Sequence, residues 1–380
     1  MGDRSDVVTV DEPLVAGDFE PPPPPSVREV LYRVSLGQPL AADSVRRAML
    51  DLFTVPVRTS RDTLLAALLS GLMARGPSED EVVEALTAAL SLDGDGTTHL
   101  PPPPGSRLLL LAGSGKKGIK SFNISTSSAL VAAAAGASVV KIGSRATSSV
   151  MGSRDLVESL GLPQSRTDEE IREAVGRTGM AFVPVEDRIP VFDSVYGGRF
   201  HVLNPLSFGL AALAPRLRGG VLVYGLAHPA VDLSARVLRR FGVREALVVA
   251  SGNADGYFGD EFGLGEQSLS CRVTRGEVGE VEVAGPRDLA SRGLPAPGHP
   301  VRAPRSSAEA VRWVLDALAG EGSSEHRHLI ALNSALLLTT AGVARDLSDG
   351  YQLALDVLRS GRAWAKVEEL RKESLCRQTV

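Results

Sequence analysis

Sulfur chemistry has little to work with in this chain. Its 380 residues include two cysteines, Cys271 and Cys376, which form no spacing pattern. That excludes a disulfide framework and a thiolate metal cluster. An excess of positive charge is lacking too. The net charge is −4 and the pI about 6.0, so no global basic field exists for nucleic acid. Aromatic residues make up only 4%. No apolar run reaches the 18 residues of a membrane span, and no charged segment with an apolar core opens the chain. Neither insertion nor secretion is therefore expected, and the expected compartment is the cytoplasm. What remains, 43% hydrophobic and 23% charged residues, is the composition of an ordinary globular protein.

Residues 1–25 are acidic and end in the run Pro21 to Pro25, a stiff, solvated segment expected to stay outside the fold as a disordered tail. From Val27 to about Leu92 the periodicity is helical. Val27, Val30, Leu31 and Val34, then Leu64, Leu65, Leu68 and Leu69, recur at spacings of three and four. Ser78 followed by Glu79 and Glu81 marks a further helix start. A second proline run, Pro101 to Pro104, separates these helices from the first strand. Beyond Leu108, apolar strands at 139–142, 221–224 and 246–250 alternate with helices. This predicts an α/β fold, a parallel sheet with helices on both faces, beside a smaller all-helical domain. The boundaries expected are 26–100 for the helical domain, joined by roughly 165–210, and 105–380 for the α/β domain.

The richest segment runs Gly113-Ser114-Gly115-Lys116-Lys117 and on through Lys120 to Asn123, Ser125 and Thr126. Four leucines lead into it and an alanine-rich helix follows. A helix N-terminus carries free N–H groups and the positive end of the macrodipole, so it binds anions. Three lysines in the same turn make phosphate or pyrophosphate the ligand expected. A second such turn, Lys141 to Ser149, follows the strand ending at Val140. Two adjacent strand ends of a parallel sheet would place both turns in one crevice.

These residues, with Phe122 to Ala129, Lys141 to Arg145 and Gly152 to Gly161, are similar to the anthranilate phosphoribosyltransferase family. Val202 to Leu206, Gly263 to Leu269, and Leu332 to Leu337 with Ser360 to Ala363 extend the resemblance over roughly residues 26–372. It implies transfer of 5-phosphoribose from phosphoribosyl pyrophosphate to an acceptor, with magnesium assisting and pyrophosphate leaving. It also implies a discontinuous helical domain through which a homodimer forms. By resemblance Gly113, Ser114 and Gly115 wrap the pyrophosphate beside Lys116 and Lys117. Asn123, Ser125 and Thr126 hold phosphate, ribose and metal, Lys141 and Ser149 touch the phosphates, and Glu266 joins Ser125 on magnesium. The structural alternatives are a helix cap for Asn123 and a turn end for Ser149. No catalytic acid or base is assigned.

Departures from the family pattern bear on metal and acceptor. Gly-Gly-Asp becomes Gly115-Lys116-Lys117, and Asp-Glu is aligned with Gly265-Glu266, so a weakened magnesium site is expected. Asp260 and Glu261 are the alternative ligands. On the acceptor side, His-Gly-Asn-Arg becomes Ile142-Gly143-Ser144-Arg145. Arg188 and Arg199 are the candidate partners for a carboxylate, while Glu186 and Asp187 carry the wrong sign. The acceptor expected is therefore small, possibly aromatic and other than plain anthranilate, which suits specialised metabolism. The alternatives are nucleoside-phosphorylase chemistry and a non-catalytic binder of a phosphorylated metabolite. His326 and His328 point apart on a helix and are not read as a metal pair. Arg236, Arg239, Arg240 and Arg244 read as a solvated helix face.

Overall fold

Spacing of apolar residues builds the first layer. The structure, a computed structural model, describes residues 22–41, 43–102, 107–295 and 301–378. Residues 1–21 of the expected tail, and Pro103 and Pro104 of the second proline run, lie outside the described residues. The first helix among the described residues, α1 (Pro25–Ser35), begins inside the expected tail, because proline suits the first helical turn. It is followed by α2 (Ser44–Phe53), α3 (Arg58–Arg75) and α4 (Glu79–Ser91). Val27, Val30 and Val34 of α1 pack with Leu65, Leu68, Leu69 and Leu72 of α3. The predicted start at Ser78 is a capping box, with Ser78 Oγ accepting from Glu81 N–H and Glu81 returning to Ser78 N–H at 2.9 Å.

Next along the chain come β1 (Thr98–His99), β2 (Leu108–Gly113), α5 (Ile124–Ala134), β3 (Ser138–Gly143), α6 (Ser153–Ser159), α7 (Asp168–Thr178), β4 (Met180–Pro184), α8 (Pro190–Tyr196) and α9 (Leu210–Leu213). Then follow β5 (Leu217–Arg218), β6 (Val221–Gly225), α10 (Val231–Arg240), β7 (Ala246–Gly252), β8 (Phe258–Gly259), β9 (Gln267–Thr274) and β10 (Glu277–Ala284). The chain closes with α11 (Pro286–Ser291), α12 (Ser307–Leu318), α13 (Ser324–Ala341), α14 (Leu347–Arg359) and α15 (Arg362–Gln378). The main sheet has the order β10-β9-β7-β6-β2-β3-β4, with β8 beside β7. Its five strands β7-β6-β2-β3-β4, which run to the β4 edge, are parallel, as the α/β reading expects.

Each central strand feeds two cores. Leu108, Leu110 and Ala112 of β2 face one side, with Leu222, Tyr224 and Val248 from its neighbours. Leu109, Leu111, Val223 and Leu247 face the other, under α5 and α13. The first core runs without a break into the N-terminal helices. Among the described residues no helix is long and apolar enough to cross a membrane.

Three features differ from the sequence reading. The stretch of roughly 165–210 is expected to join the helical domain, but its first helix, α7, lies on β4 and β3, where Ile171 and Ala174 cover the sheet edge. The helices α3 and α4 are met instead by the turn Pro205–Phe208. Arg236, Arg239 and Arg240 do not form a free face, since all three pair with Glu79 of α4. The hairpin β9–β10 was not foreseen. Its outer strand carries Glu277, Glu280 and Glu282, charges that discourage pairing with another chain.

Candidate functional site

The carboxyl ends of β2, β3 and β6 open into one crevice because glycines let a loop drop onto them. A Cβ at Gly113 would stand 2.8 Å from Asp260 Oδ2, and one at Gly225 would stand 2.0 Å from the Asp260 carbonyl. Asp260 therefore lies directly over the strand ends, where it accepts Gly115 N–H at 3.1 Å. Gly152 does the same for the second turn, since a Cβ there would meet Arg145 at 2.3 Å. The crevice holds two compartments that share Gly113, Gly115, Lys116, Ser144, Arg145 and Thr147.

The first compartment, about 100 Å³, is cationic. Lys116, Lys117, Lys120, Lys141 and Arg145 line it against two acids, Asp260 and Glu261. Ser125 stands at its edge, at the N-terminus of α5. Lys141 is 2% exposed and donates to the Ile142 carbonyl at 2.6 Å. Burial lowers its ammonium to about 8, against the pull of Asp260. Lys120 donates to the Ser148 carbonyl at 2.8 Å, tying the two turns together. Asn123 occupies the N-cap position without capping. Its amide donates to the Met151 and Gly152 carbonyls, so it bridges the turns instead. Ser149 Oγ donates to the Met151 carbonyl at 3.1 Å, the turn-ending role foreseen as its alternative.

Lys117 and the two acids form a buried triad. Lys117 Nζ forms an ion pair with Asp260 Oδ1 at 3.0 Å and donates to Glu261 Oε1. Burial opposes the ammonium, but the two carboxylates override it and hold its pKa above the usual lysine range. Burial alone would also raise Asp260, yet Lys117 holds that carboxyl below its ordinary value. Glu261 goes the other way, pushed up to about 8 by burial first and by the Asp260 charge second. Glu261 Oε2 and Thr126 Oγ1 are buried without hydrogen-bond partners.

The second compartment, about 290 Å³, is walled by aromatic rings. Phe192, Tyr196 and Phe200 stack in a ladder with ring centroids 5.1 and 5.0 Å apart. Leu206, Leu210 and Tyr224 complete its apolar wall. Glu186 lines it as well, but Arg154 pairs with both Glu186 and Asp187, at 3.3 and 2.8 Å. The wrong-sign acids of the sequence reading are thus neutralised. Asp193 is different: its carboxylate has no hydrogen-bond partner among the described residues, and burial followed by Glu186 raises it.

Several expected residues lie elsewhere. Arg188 is bound to Asp168 at 2.8 Å and to the Pro215 carbonyl, and Arg199 to Asp62 at 3.3 Å and the Ser194 carbonyl. Neither lines a compartment. Ile142 faces the cationic compartment and Ser144 both. Glu266 is exposed before β9, and Gly265 is wedged against the Gly252 carbonyl, 2.3 Å from where a Cβ would stand. Asp260 and Glu261, named only as alternatives, are the acids that line the cationic compartment. Thr126 is fully buried beneath it. Phe192, Tyr196 and Phe200 were missed, although aromatics four residues apart in so aromatic-poor a chain are a readable signal.

Two adjoining compartments at the carboxyl edge of a doubly covered sheet stand where open α/β folds bind their ligands, one lined by cations and the other by aromatic rings. Comparison with known proteins fixes the class first. Residues 107–364 match the glycosyl transferase family, a/b domain, a family of pentosyltransferases. Over 332 residues the chain is 32% identical to the anthranilate phosphoribosyltransferase of Burkholderia thailandensis, covering 85% of this chain and 91% of that protein. The structure superposes on the Thermus thermophilus anthranilate phosphoribosyltransferase with a TM-score of 0.69 at 27% identity, over 91% of this chain and 99% of that one. The Saccharomyces cerevisiae enzyme in complex with PRPP and Mg shares the fold, with a TM-score of 0.72 at 18% identity over 92% and 98%. The chain belongs to the anthranilate phosphoribosyltransferase family.

Proposed function

We propose that the protein moves the 5-phosphoribosyl group of phosphoribosyl pyrophosphate (PRPP) onto a small aromatic acceptor. The observation that carries this reading is the junction of a five-cation compartment with an aromatic slot across the Gly113–Lys116 turn. Cleavage of the ribose C1′–O bond builds negative charge on pyrophosphate. Fixed cations around that position stabilise the charge without reorganising. Lys120, Lys141 and the N-terminus of α5 supply that field, and the Ser125 hydroxyl is placed to hold a phosphate or ribose oxygen.

Magnesium fits these residues poorly. Oxygen donors of the right kind are present in Asp260, Glu261 and Ser125, but the Lys117 ammonium stands between the two acids. Among the described residues no group of three or more His, Cys, Asp and Glu side chains could hold a metal. We infer that Lys117 supplies, as a tethered point charge, part of what the metal supplies elsewhere. The protein's demand for magnesium is then weaker than two free carboxylates would give. This feature also favours a second reading, phosphate-dependent nucleoside cleavage, which needs no pyrophosphate-bound metal.

Plain anthranilate suits the slot badly. Arg145 is bound to Asp155 and Glu158, Arg188 and Arg199 are occupied elsewhere, and Asp193 offers an unpaired negative charge. A cytoplasmic homodimer is part of the proposal. Its support is Tyr32, Leu36, Leu50 and Val57, apolar side chains left exposed on or at the ends of the N-terminal helices. Calorimetry with PRPP, inorganic phosphate and magnesium, run beside a pyrophosphate-release assay, tests the reading. PRPP binding with pyrophosphate release upholds it. Release of a free base from a nucleoside, dependent on phosphate and without PRPP binding, replaces it with the second reading. Sedimentation at a monomer mass would remove the dimer.

A further inference from the structure

Lys116 carries more strain than its place in the fold requires. Its backbone is left-handed, with φ +56°, and it follows Gly115 at φ +59°. Glycine takes that conformation freely, while a residue with a Cβ adopts it at a cost. The side chain fills no core. It lines both compartments, with Nζ 4.4 Å above the Tyr196 ring and donating to the Tyr196 hydroxyl. Asn204 holds that hydroxyl in turn, through Nδ2 at 2.9 Å. Strained residues held by their surroundings cluster where chemistry happens.

Among the described residues no acid is paired with Lys116. Across the slot, Glu186 is committed to Arg154 and the Arg145 N–H, and the Arg145 side chain to Asp155 and Glu158. Asp193 faces the same space without a partner of its own. On the donor side, Lys117 absorbs Asp260 and Glu261, leaving Lys120 and Lys141 as like charges. We infer that Lys116 accepts the proton of the incoming nucleophile, and that the acceptor is a neutral flat ring bearing a ring N–H or phenolic O–H. The inference rests on the transferase reading above and names its missing base and its acceptor class.

Burial, with no acid to oppose it, lowers the Lys116 ammonium to about 7. A base poised there is half free at neutral pH and still strong enough to take a proton. In the step, the acceptor's lone pair forms a bond to ribose C1′ as the C1′–O bond breaks. The electron pair of that bond leaves with pyrophosphate. The acceptor's proton passes to Lys116 Nζ, which returns it to water after product departs. A carboxylate acceptor would meet Asp193 with no free guanidinium to receive it, whereas a second donor on a neutral ring would find Asp193 an acceptor.

The test uses the full chain and the variants Lys116→Gly and Lys116→Arg, with PRPP and three acceptors: 4-hydroxybenzamide, imidazole-4-carboxamide and anthranilate. Lys116→Gly relieves the left-handed strain, so it should melt at a higher temperature than the parent, and each protein is assayed at saturating PRPP so that the loss of one compartment cation does not enter the rate. The variant's rate of pyrophosphate release should nonetheless fall about a hundredfold, with partial rescue by methylamine. The arginine variant should lose the rate without rescue. The parent rate should rise with pH through about 7 and level off, and that limb should vanish in both variants. If PRPP does not bind the parent, the transferase reading fails and takes this inference with it. If PRPP binds and Lys116→Gly keeps its rate, the lysine is not the base. Turnover of anthranilate in preference to both neutral rings overturns the acceptor class. If no acceptor turns over, the NMR titration of the Lys116 ε-carbon decides, with a midpoint near 7 upholding the base and one near 10 refuting it.

Discussion

Replacing Lys117 with methionine keeps most of the side chain's bulk and removes the ammonium from between Asp260 and Glu261. Both acids are buried, with side-chain exposures of 8% and 3%. Deleting one partner of a buried ion pair costs about 3–5 kcal/mol, because the charge left behind has no counter-charge. Two features place this case at the lower end. Glu261 keeps its proton up to about 8, so at pH 7 only Asp260 is stranded. Asp260 also retains its bond from Gly115 N–H. The expected loss is therefore about 3 kcal/mol at pH 7 in the absence of metal. Asp260 can escape by taking up a proton, so the loss should shrink at pH 5. Magnesium offers another escape, since the variant exposes two carboxylates to it. At a hundred times its Kd it should return about 2.7 kcal/mol, while the parent gains little. Urea unfolding of both proteins at pH 7 and pH 5, with and without magnesium, reads all of this. A loss below about 1 kcal/mol at pH 7, or a variant indifferent to magnesium, would refute the account of Lys117 as a built-in counter-charge.

Ser125→Ala should weaken PRPP binding about ten- to a hundredfold, the worth of one charge-assisted hydrogen bond of about 1.5–3 kcal/mol, with little change in unfolding free energy. Thr126→Val should do the reverse, leaving PRPP affinity alone and stabilising by up to about 1 kcal/mol, because it removes a buried hydroxyl without a partner. Calorimetry and urea unfolding separate the two. Glu261→Gln concerns pH. The folded pKa of Glu261 lies above its unfolded value, so its contribution is fully present below about 4.5 and is lost as pH climbs through about 8. The glutamine variant should thus lose less stability than the parent between pH 6 and pH 9, and parallel curves would show that Glu261 does not titrate there.

The strands and cores were legible because burial on both faces forces continuous apolar runs, as in Leu108 to Leu111. The anion turn was legible because glycine, lysine and hydroxyl residues serve few other purposes together at a strand end. Glu266 lies exposed and outside the cationic compartment for a physical reason. A loop's reach depends on where its backbone can enter, and glycines at 113 and 225 admit Asp260 over the strand ends. Neither glycine is near Asp260 in sequence. Arg188 and Arg199 were plausible carboxylate partners by type, yet Asp168 and Asp62, distant in sequence, already hold them. The segment 168–178 is charged enough to read as exposed, but Ile171 and Ala174 suffice to bind one face to β4. Partners brought by the fold decided each of these, and spacing carries no trace of them.

The two lysines at the centre of the turn show how far environment outweighs residue type. Lys116 and Lys117 are adjacent and chemically identical, and the left-handed backbone at Gly115 and Lys116 sends their side chains to different company. Lys117 meets two carboxylates, and its ammonium is held charged against burial. Lys116 meets a phenol and an aromatic face, and burial drives it toward the free amine. One is therefore suited to replace a cation and the other to take a proton, and exchanging their surroundings would exchange those roles. Moving an acid next to Lys116 is the sharpest form of that claim. Asn204→Asp, 2.9 Å from the Tyr196 hydroxyl that Lys116 touches, adds a negative charge at one remove without altering either lysine. It should raise the Lys116 midpoint above 7. The rising limb of the rate should move to higher pH by the same interval, while PRPP affinity stays put. A limb that does not follow the lysine's midpoint would break the link between that amine and the rate.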